Sequence, residues 1–186
     1  MCTSAELRGN AVRLRAVRYD DPVATHLIER VQQEYVVRYG GRDAAPVDPD
    51  GFAAPHGLFL VAEVDGTPAG CGGWRVHGTG GTGGTMVELK RMYVEAGFRR
   101  HGIARTLLAA LEAAAARAGH REVVLNSGGR QPEALALYAR AGYTPVPGYG
   151  IYAGSPEAVF LGKQLRDSAR GDVAIDEQEE VDGWAS

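Results

Sequence analysis

The chain has 186 residues, enough for one domain with a substantial core. Its 45% hydrophobic and 23% charged content is that of a globular protein; it holds no apolar run long enough to cross a bilayer, and "MCTSAELRGN" lacks the apolar stretch of a secretory signal. Two cysteines, Cys2 and Cys71, form neither a disulfide framework nor a metal-ligand spacing, so a reducing, cytoplasmic setting without a metal is expected. The formal charge of -3 is uneven: residues 166–186 hold two arginines against seven acidic residues. The remainder is nearly neutral and gives no electrostatic footprint for nucleic acid. The pattern predicts an N-terminal extension (1–10), one domain (11–165) and an acidic, disordered tail (166–186).

In chain order, "VRLRAV" (Val12 to Val17) alternates and predicts a strand. Asp20, Asp21 and Pro22 open a helix whose Val23, Leu27, Val31 and Tyr35 recur at helical spacing. Residues 40–56, with Pro46, Pro49 and Pro55, read as a loop. "LFLVAEV", "DG" and "TPAGCGGWRVH" predict a hairpin. A glycine run is followed by a strand, "MVELKRMYV" (Met86 to Val94), and by the loop "EAGFRRHG". Ile103 to Ala118 is an amphipathic helix with Ile103, Leu107, Leu111 and Ala114 as its buried stripe, closed by Gly119. A strand (Arg121 to Ser127), a short helix (Pro132 to Gly142), a turn-rich segment and a last strand (Ala158 to Leu165) complete the chain up to its tail. The fold class is α/β, one domain with a mixed central sheet flanked by helices.

Two glycine-containing loops compete as phosphate sites. Gly78, Gly80 and Gly83 match G-x-G-x-x-G, but a dinucleotide fingerprint must open a helix, and the segment after this run is β-patterned. It does not end in Gly-Lys-Ser/Thr either, so it is no P-loop. In "RRHGIA" (Arg99 to Ala104) a tight turn leads directly into the long helix. First-turn N–H groups lack intrahelical partners, the helix dipole adds positive charge, and Gly102 and Ala104 let a phosphate come close. Arg99, Arg100 and Arg105 add mobile positive charge. The residues alone fit a pyrophosphate cradle or an ordinary helix start with exposed arginines.

"VELKRMYVEAGFRRHGIARTLLAALEAAAARAGHREVVLNS" followed by "PEALALYARAGY" resembles the GCN5-related N-acetyltransferase (GNAT) superfamily. Its R/Q-x-x-G-x-G/A motif is matched by Arg99, Gly102 and Ala104, and "LYARAGY" matches its following motif; together they cover roughly residues 86 to 147. The resemblance implies acetyl-CoA in a splayed gap between the parallel strands Met86–Val94 and Arg121–Ser127. Met92, Tyr93 and Val94 would pair with the pantetheine arm as with an added strand. The amides of Arg99, Arg100, His101, Gly102, Ile103 and Ala104 would hold the pyrophosphate, with Arg105 beside them and Asn126 on the second strand near the cofactor. His101 is expected to offer only its backbone, and the Val94 N–H is the expected oxyanion donor.

The resemblance also implies acyl transfer to an amine, with Tyr138 protonating the departing thiolate. Tyr138 equally completes an Ala134, Leu137, Tyr138, Ala141 stripe and could be core. Glu88 stands where several members carry a general-base glutamate; it is expected to share a strand face with Lys90, Met92 and Val94, and its other reading is a salt bridge with a neighbour such as Lys90. The remaining histidines have no ligand spacing, and Cys71 is expected to be packed in a strand. The acceptor pocket is expected from Tyr35, Tyr39, the loop Asp48 to Phe52, Tyr149 and Tyr152, sized for a small primary amine. Dimerisation is common among similar proteins. A silent acyl-CoA sensor, and a nicotinamide-dependent oxidoreductase using Gly78 to Gly83, remain as alternatives.

Overall fold

A seven-stranded sheet in the order β1-β2-β3-β4-β5-β7-β6 forms the spine of the computed structural model, which describes residues 12–79 and 85–165. The N-terminal extension, most of the glycine run and the acidic tail fall outside the described residues. The strands are β1 (Val12–Ala16), β2 (Gly57–Val64), β3 (Thr67–Thr79), β4 (Thr85–Val94), β5 (Glu122–Gly128), β6 (Thr144–Pro145) and β7 (Ala158–Gln164). Only the β4–β5 pair is parallel, so the sheet is mixed as expected.

Three helices cover the two faces. On one, α1 (Pro22–Tyr39) buries Ala24, Leu27 and Val31 against Phe59, Val61 and Cys71. Its start is fixed by Asp21, whose carboxylate accepts from the N–H groups of Val23 (2.8 Å) and Ala24 (3.4 Å) ahead of an N-terminal proline. On the other face, α2 (Ile103–Arg117) buries Ile103, Leu107, Leu108, Leu111 and Ala115. Ala115 takes the place expected of Ala114, because the helix turns a slightly wider face to the sheet. α3 (Pro132–Arg140) lies on the same face and buries Tyr138, with Ala134, Leu137 and Ala141 partly covered. No helix among the described residues is long and apolar enough to cross a membrane.

The feature that shapes the site is a break in β4. β4 pairs with β5 only from Met86 to Leu89, opposite Glu122 to Leu125. On its β3 side, Lys90 faces Gly73 and Tyr93 faces Cys71, so Arg91 and Met92 together stand against the single residue Gly72. This is a β-bulge, with Arg91 in the left-handed region (φ 59). The extra residue bends β4 away from β5. From Lys90 onward β4 keeps only β3 as a partner, while β5 beyond Leu125 keeps only β7.

The bulge also changes which side chains share a face. Strict alternation would put Glu88, Lys90, Met92 and Val94 together. Instead Met92 and Val94 pack with Val87 and Leu89 on the α2 side, and Tyr93 packs on the α1 side. Glu88 and Lys90 are left on the α1 side, next to the loop that follows α1.

Candidate active site

A cavity of about 320 Å³ occupies the gap. Leu89, Lys90, Arg91 and Met92 of β4 form one wall, and Leu125, Asn126, Ser127 and Gly128 of β5 the other. Because the sheet is open here, residues from both faces reach the same space: Tyr35 and Tyr39 of α1, and Tyr138 of α3. Tyr39 lies so close to Gly128 that a Cβ there would sit 1.9 Å from its hydroxyl, so any larger residue would have to move the tyrosine ring. The same hydroxyl accepts from the Arg130 N–H at 3.2 Å.

The exposed edge of β4 can pair with an extended ligand. The Glu95 N–H donates to the Ala69 carbonyl on β3 (2.9 Å), so by alternation the N–H groups of Val94 and Met92 point the other way, into the gap; the Val94 carbonyl is taken by Arg99 Nε. Tyr93 is different. Its backbone stands opposite Cys71, its ring is buried on the α1 side under the Arg99 guanidinium (5.7 Å), and its hydroxyl donates to Glu95 at 3.2 Å. Of the three residues expected along a pantetheine arm, two face the gap and Tyr93 backs them.

Beyond β4 the turn Arg99 to Gly102 enters α2. Arg100 (φ 69) and Gly102 (φ 82) are left-handed, and a Cβ on Gly102 would meet nothing within 4 Å, so the surface above it is open. No side chain caps α2, which leaves its first N–H groups for an anion. Ala104 is partly exposed there, Ile103 is buried and offers only backbone, and His101 sits within the turn. Arg100 and Arg105 are exposed, as a mobile phosphate ligand requires. The Arg99 side chain is not mobile: its Nε donates to the Val94 carbonyl (2.9 Å) and its Nη2 pairs with Glu34. It ties the turn to the end of β4 and to α1.

Tyr138 is buried (5% exposed) yet lines the cavity, edge-on to Tyr143 at 5.5 Å. Burial, and then the neighbouring Tyr35, push its hydroxyl pKa well above that of a free phenol. Tyr138 is therefore both core and cavity wall, and its two readings from sequence do not exclude each other.

Glu88 is buried (2% exposed), in the half of β4 that is still paired with β5. Its Oε2 accepts from Arg75 Nε (3.1 Å) and Nη2 (3.0 Å), its Oε1 lies 3.4 Å from Lys90 Nζ, and His77 Nδ1 is 3.8 Å away. The expected ion pair with Lys90 is present, and Lys90 stands between Glu88 and the cavity. Asp43 is the residue that sequence reasoning missed. Its Oδ2 accepts from Arg91 Nη1 (2.5 Å) and lies 3.9 Å from Lys90, while its Oδ1 accepts from the Tyr152 hydroxyl (3.0 Å) and the Ala45 N–H (2.9 Å). Burial would raise its pKa, but Lys90, the Ala45 N–H and Arg91 outweigh that and hold it below the usual carboxylate range. The only hint in the sequence was two adjacent cations in a strand, Lys90 and Arg91, which call for acidic partners without naming one.

The acceptor side also departs from expectation. Tyr35, Tyr39 and Tyr152 line the cavity with Gly41, Arg42 and Asp43. The segment Asp48 to Phe52 does not: Asp48 caps a short 3₁₀ turn, and Phe52 is core, stacked on Tyr19 at 4.7 Å. Tyr149 packs between His77 (4.6 Å) and Phe160 (5.0 Å) rather than on the cavity wall. The glycine run joins β3 to β4, so a strand stands where a dinucleotide fingerprint needs a helix. Among the described residues no group of three or more His, Cys, Asp or Glu is placed to hold a metal.

Comparison with known proteins agrees with this geometry. Residues 20–143 match the model of the acetyltransferase (GNAT) family. An IAA acetyltransferase from Azospirillum brasilense is 33% identical over 139 residues, covering 75% of this chain and 88% of that protein. Among solved structures, a Klebsiella pneumoniae protein assigned as an acyl-CoA N-acyltransferase superposes with a TM-score of 0.66 at 26% identity, over 85% of this chain and 99% of that one. The PaiA N-acetyltransferase of Thermoplasma acidophilum, solved with coenzyme A, shares the fold at TM-score 0.61 and 17% identity, over 83% of this chain and 99% of that one. The chain belongs to the GNAT family and is an acetyltransferase.

Proposed function

We propose that the protein transfers the acetyl group of acetyl-CoA directly to a small primary amine. The observation that carries this reading is the bulge-opened edge of β4, aligned with an uncapped helix N-terminus and bordering a half-open cavity. The edge suits an extended amide-bearing arm, the helix start a pyrophosphate, and the cavity an acceptor. At about 320 Å³, and shared with the arm in the gap, the cavity leaves room for a small amine.

In this reading the Val94 N–H donates to the thioester oxygen as charge develops there. The amine nitrogen bonds to the carbonyl carbon and the carbon–sulfur bond breaks. Tyr138, a phenol and so protonated at neutral pH, gives its proton to the leaving thiolate. Glu88 takes the proton of the acceptor through water, since Lys90 lies between its carboxylate and the cavity. Arg99 to Ala104 hold the pyrophosphate, Arg105 supplies charge from the surface, and Asn126 borders the arm. The presence of Tyr138 on the cavity wall favours turnover over a silent acyl-CoA sensor. A panel of small amines, lysine-containing peptides and protein N-termini, assayed with acetyl-CoA for free thiol release, tests the reading. Acetylation of small amines supports it; acetylation of peptide or protein amines alone overturns it.

A further inference from the structure

We infer that the acceptor carries a carboxylate close to its amine and that Lys90 binds it. The inference rests on the acetyl-transfer reading above and names the substrate class. Five charged side chains form one contiguous set, Arg75, Glu88, Lys90, Asp43 and Arg91, with His77 beside Glu88; Asp43, Lys90 and Arg91 line the cavity. Three are cations and two are carboxylates, so the set holds one positive charge in excess. The other charged groups on the wall do not offset it, because Arg42 is paired with Glu29 and Glu157 with Arg130.

The excess falls on Lys90. Arg75 directs Nε and Nη2 to Glu88 and Nη1 to the Pro46 carbonyl (3.1 Å), and Arg91 directs Nη1 to Asp43 and Nε to the Tyr19 hydroxyl (3.2 Å). Lys90 Nζ stands 3.4 Å from Glu88 and 3.9 Å from Asp43, beyond the length of a charge-assisted hydrogen bond, on a side chain only 10% exposed. Both of those carboxylates are bound more closely by arginines, so this nearly buried ammonium has room for a further anion in its shell. A carboxylate of the acceptor supplies that anion.

The position fits. Lys90 is the last residue of β4 before the bulge, where the gap opens. A carboxylate there leaves an amine a few bonds away beside the edge formed by Met92 and Val94. A polyamine would bring a second cation against the same excess charge.

The test measures kcat/KM at saturating acetyl-CoA for matched pairs, an amino acid and the same amine lacking the carboxylate, with wild type, Lys90→Met and Lys90→Arg. Wild type should prefer the carboxylated member. Lys90→Met should shrink that preference by about ten- to a hundredfold, the worth of a hydrogen bond to a charged group, mainly through KM of the acceptor. Lys90→Arg should restore most of it. An equal loss for both members would mean that Lys90 acts on the thioester or on the fold, and would overturn the inference. So would preference for the decarboxylated amine, or inertness of every carboxylated acceptor while acetyl-CoA binds. Failure of acetyl-CoA itself to bind, read separately by calorimetry, would instead sink the transfer reading and the inference with it.

Discussion

The two halves of β4 share a strand and a partner on β3 but differ at the other edge. From Met86 to Leu89 the edge is sealed by β5, and the side chains serve stability: Val87 and Leu89 fill the core under α2, and Glu88 is locked to Arg75. From Lys90 to Val94 the edge is open, and in the proposed reading the backbone itself is the functional group. One extra residue at Arg91 makes the difference. In that reading binding capacity is created by subtracting sheet hydrogen bonds at a defined place, and the ion pairs of Arg91 with Asp43 and of Arg99 with Glu34 hold the opened strand in position.

Substitutions in the two halves should fail in different ways. The largest effect is expected from Glu88→Gln in the sealed half. It leaves Arg75 and Lys90 facing a neutral group, and breaking a buried pair costs about 3 kcal/mol or more. Denaturant unfolding should show that loss. If the variant then also loses the acidic limb of its pH–rate profile, Glu88 is the base as well as the tie; an unchanged profile assigns it stability alone. Val94→Pro probes the open half. Proline is tolerated at a strand edge without a partner, so the variant should fold, yet it removes the donor aimed into the gap. Turnover should fall by about a hundredfold or more, as for loss of an oxyanion donor. A variant that unfolds instead would show that the Val94 N–H has a partner within the protein.

Tyr138→Phe should lower turnover by up to about a hundredfold while leaving acetyl-CoA affinity nearly intact, because the ring keeps its packing and only the proton is lost. Unchanged turnover would remove Tyr138 from the chemistry. The smallest effect concerns His120, buried edge-on to Trp74 and hydrogen-bonded through Nδ1 to the Thr85 hydroxyl at 2.8 Å. Burial lowers its pKa, so the unfolded chain binds the proton more readily than the folded one. Its contribution is complete above the unfolded value of about 6.5 and is lost as pH falls through the lowered folded value. His120→Gln should flatten that part of the stability profile; a slope identical to wild type would contradict the assignment.

The parts of the fold that come from local pattern were legible in the sequence. The Asp21–Pro22 start of α1, the β2–β3 hairpin, the stripe of α2 and the turn at Gly102 all carry their own signals. So did the choice between the two glycine loops, since only one precedes a helix. What the sequence hid was the bulge. Alternation is read residue by residue, and an inserted residue reverses the face of everything after it without changing the composition. Glu88 was therefore placed on one face with Met92 and Val94. Asp43 was hidden for a different reason: it lies in a proline-rich loop, and its importance comes from Lys90 and Arg91, which are far away in sequence and brought together only by the sheet.

The central claim is that the open half of β4 binds the acyl donor through its backbone. Amide hydrogen exchange, resolved by residue and recorded with and without acetyl-CoA, tests this most directly. The account predicts that the Val94 and Met92 amides exchange readily in the free protein and become protected when acetyl-CoA is added. The amides of Val87 to Leu89, already in the sealed half, should change little. Binding of acetyl-CoA that leaves Met92 and Val94 unprotected would contradict it.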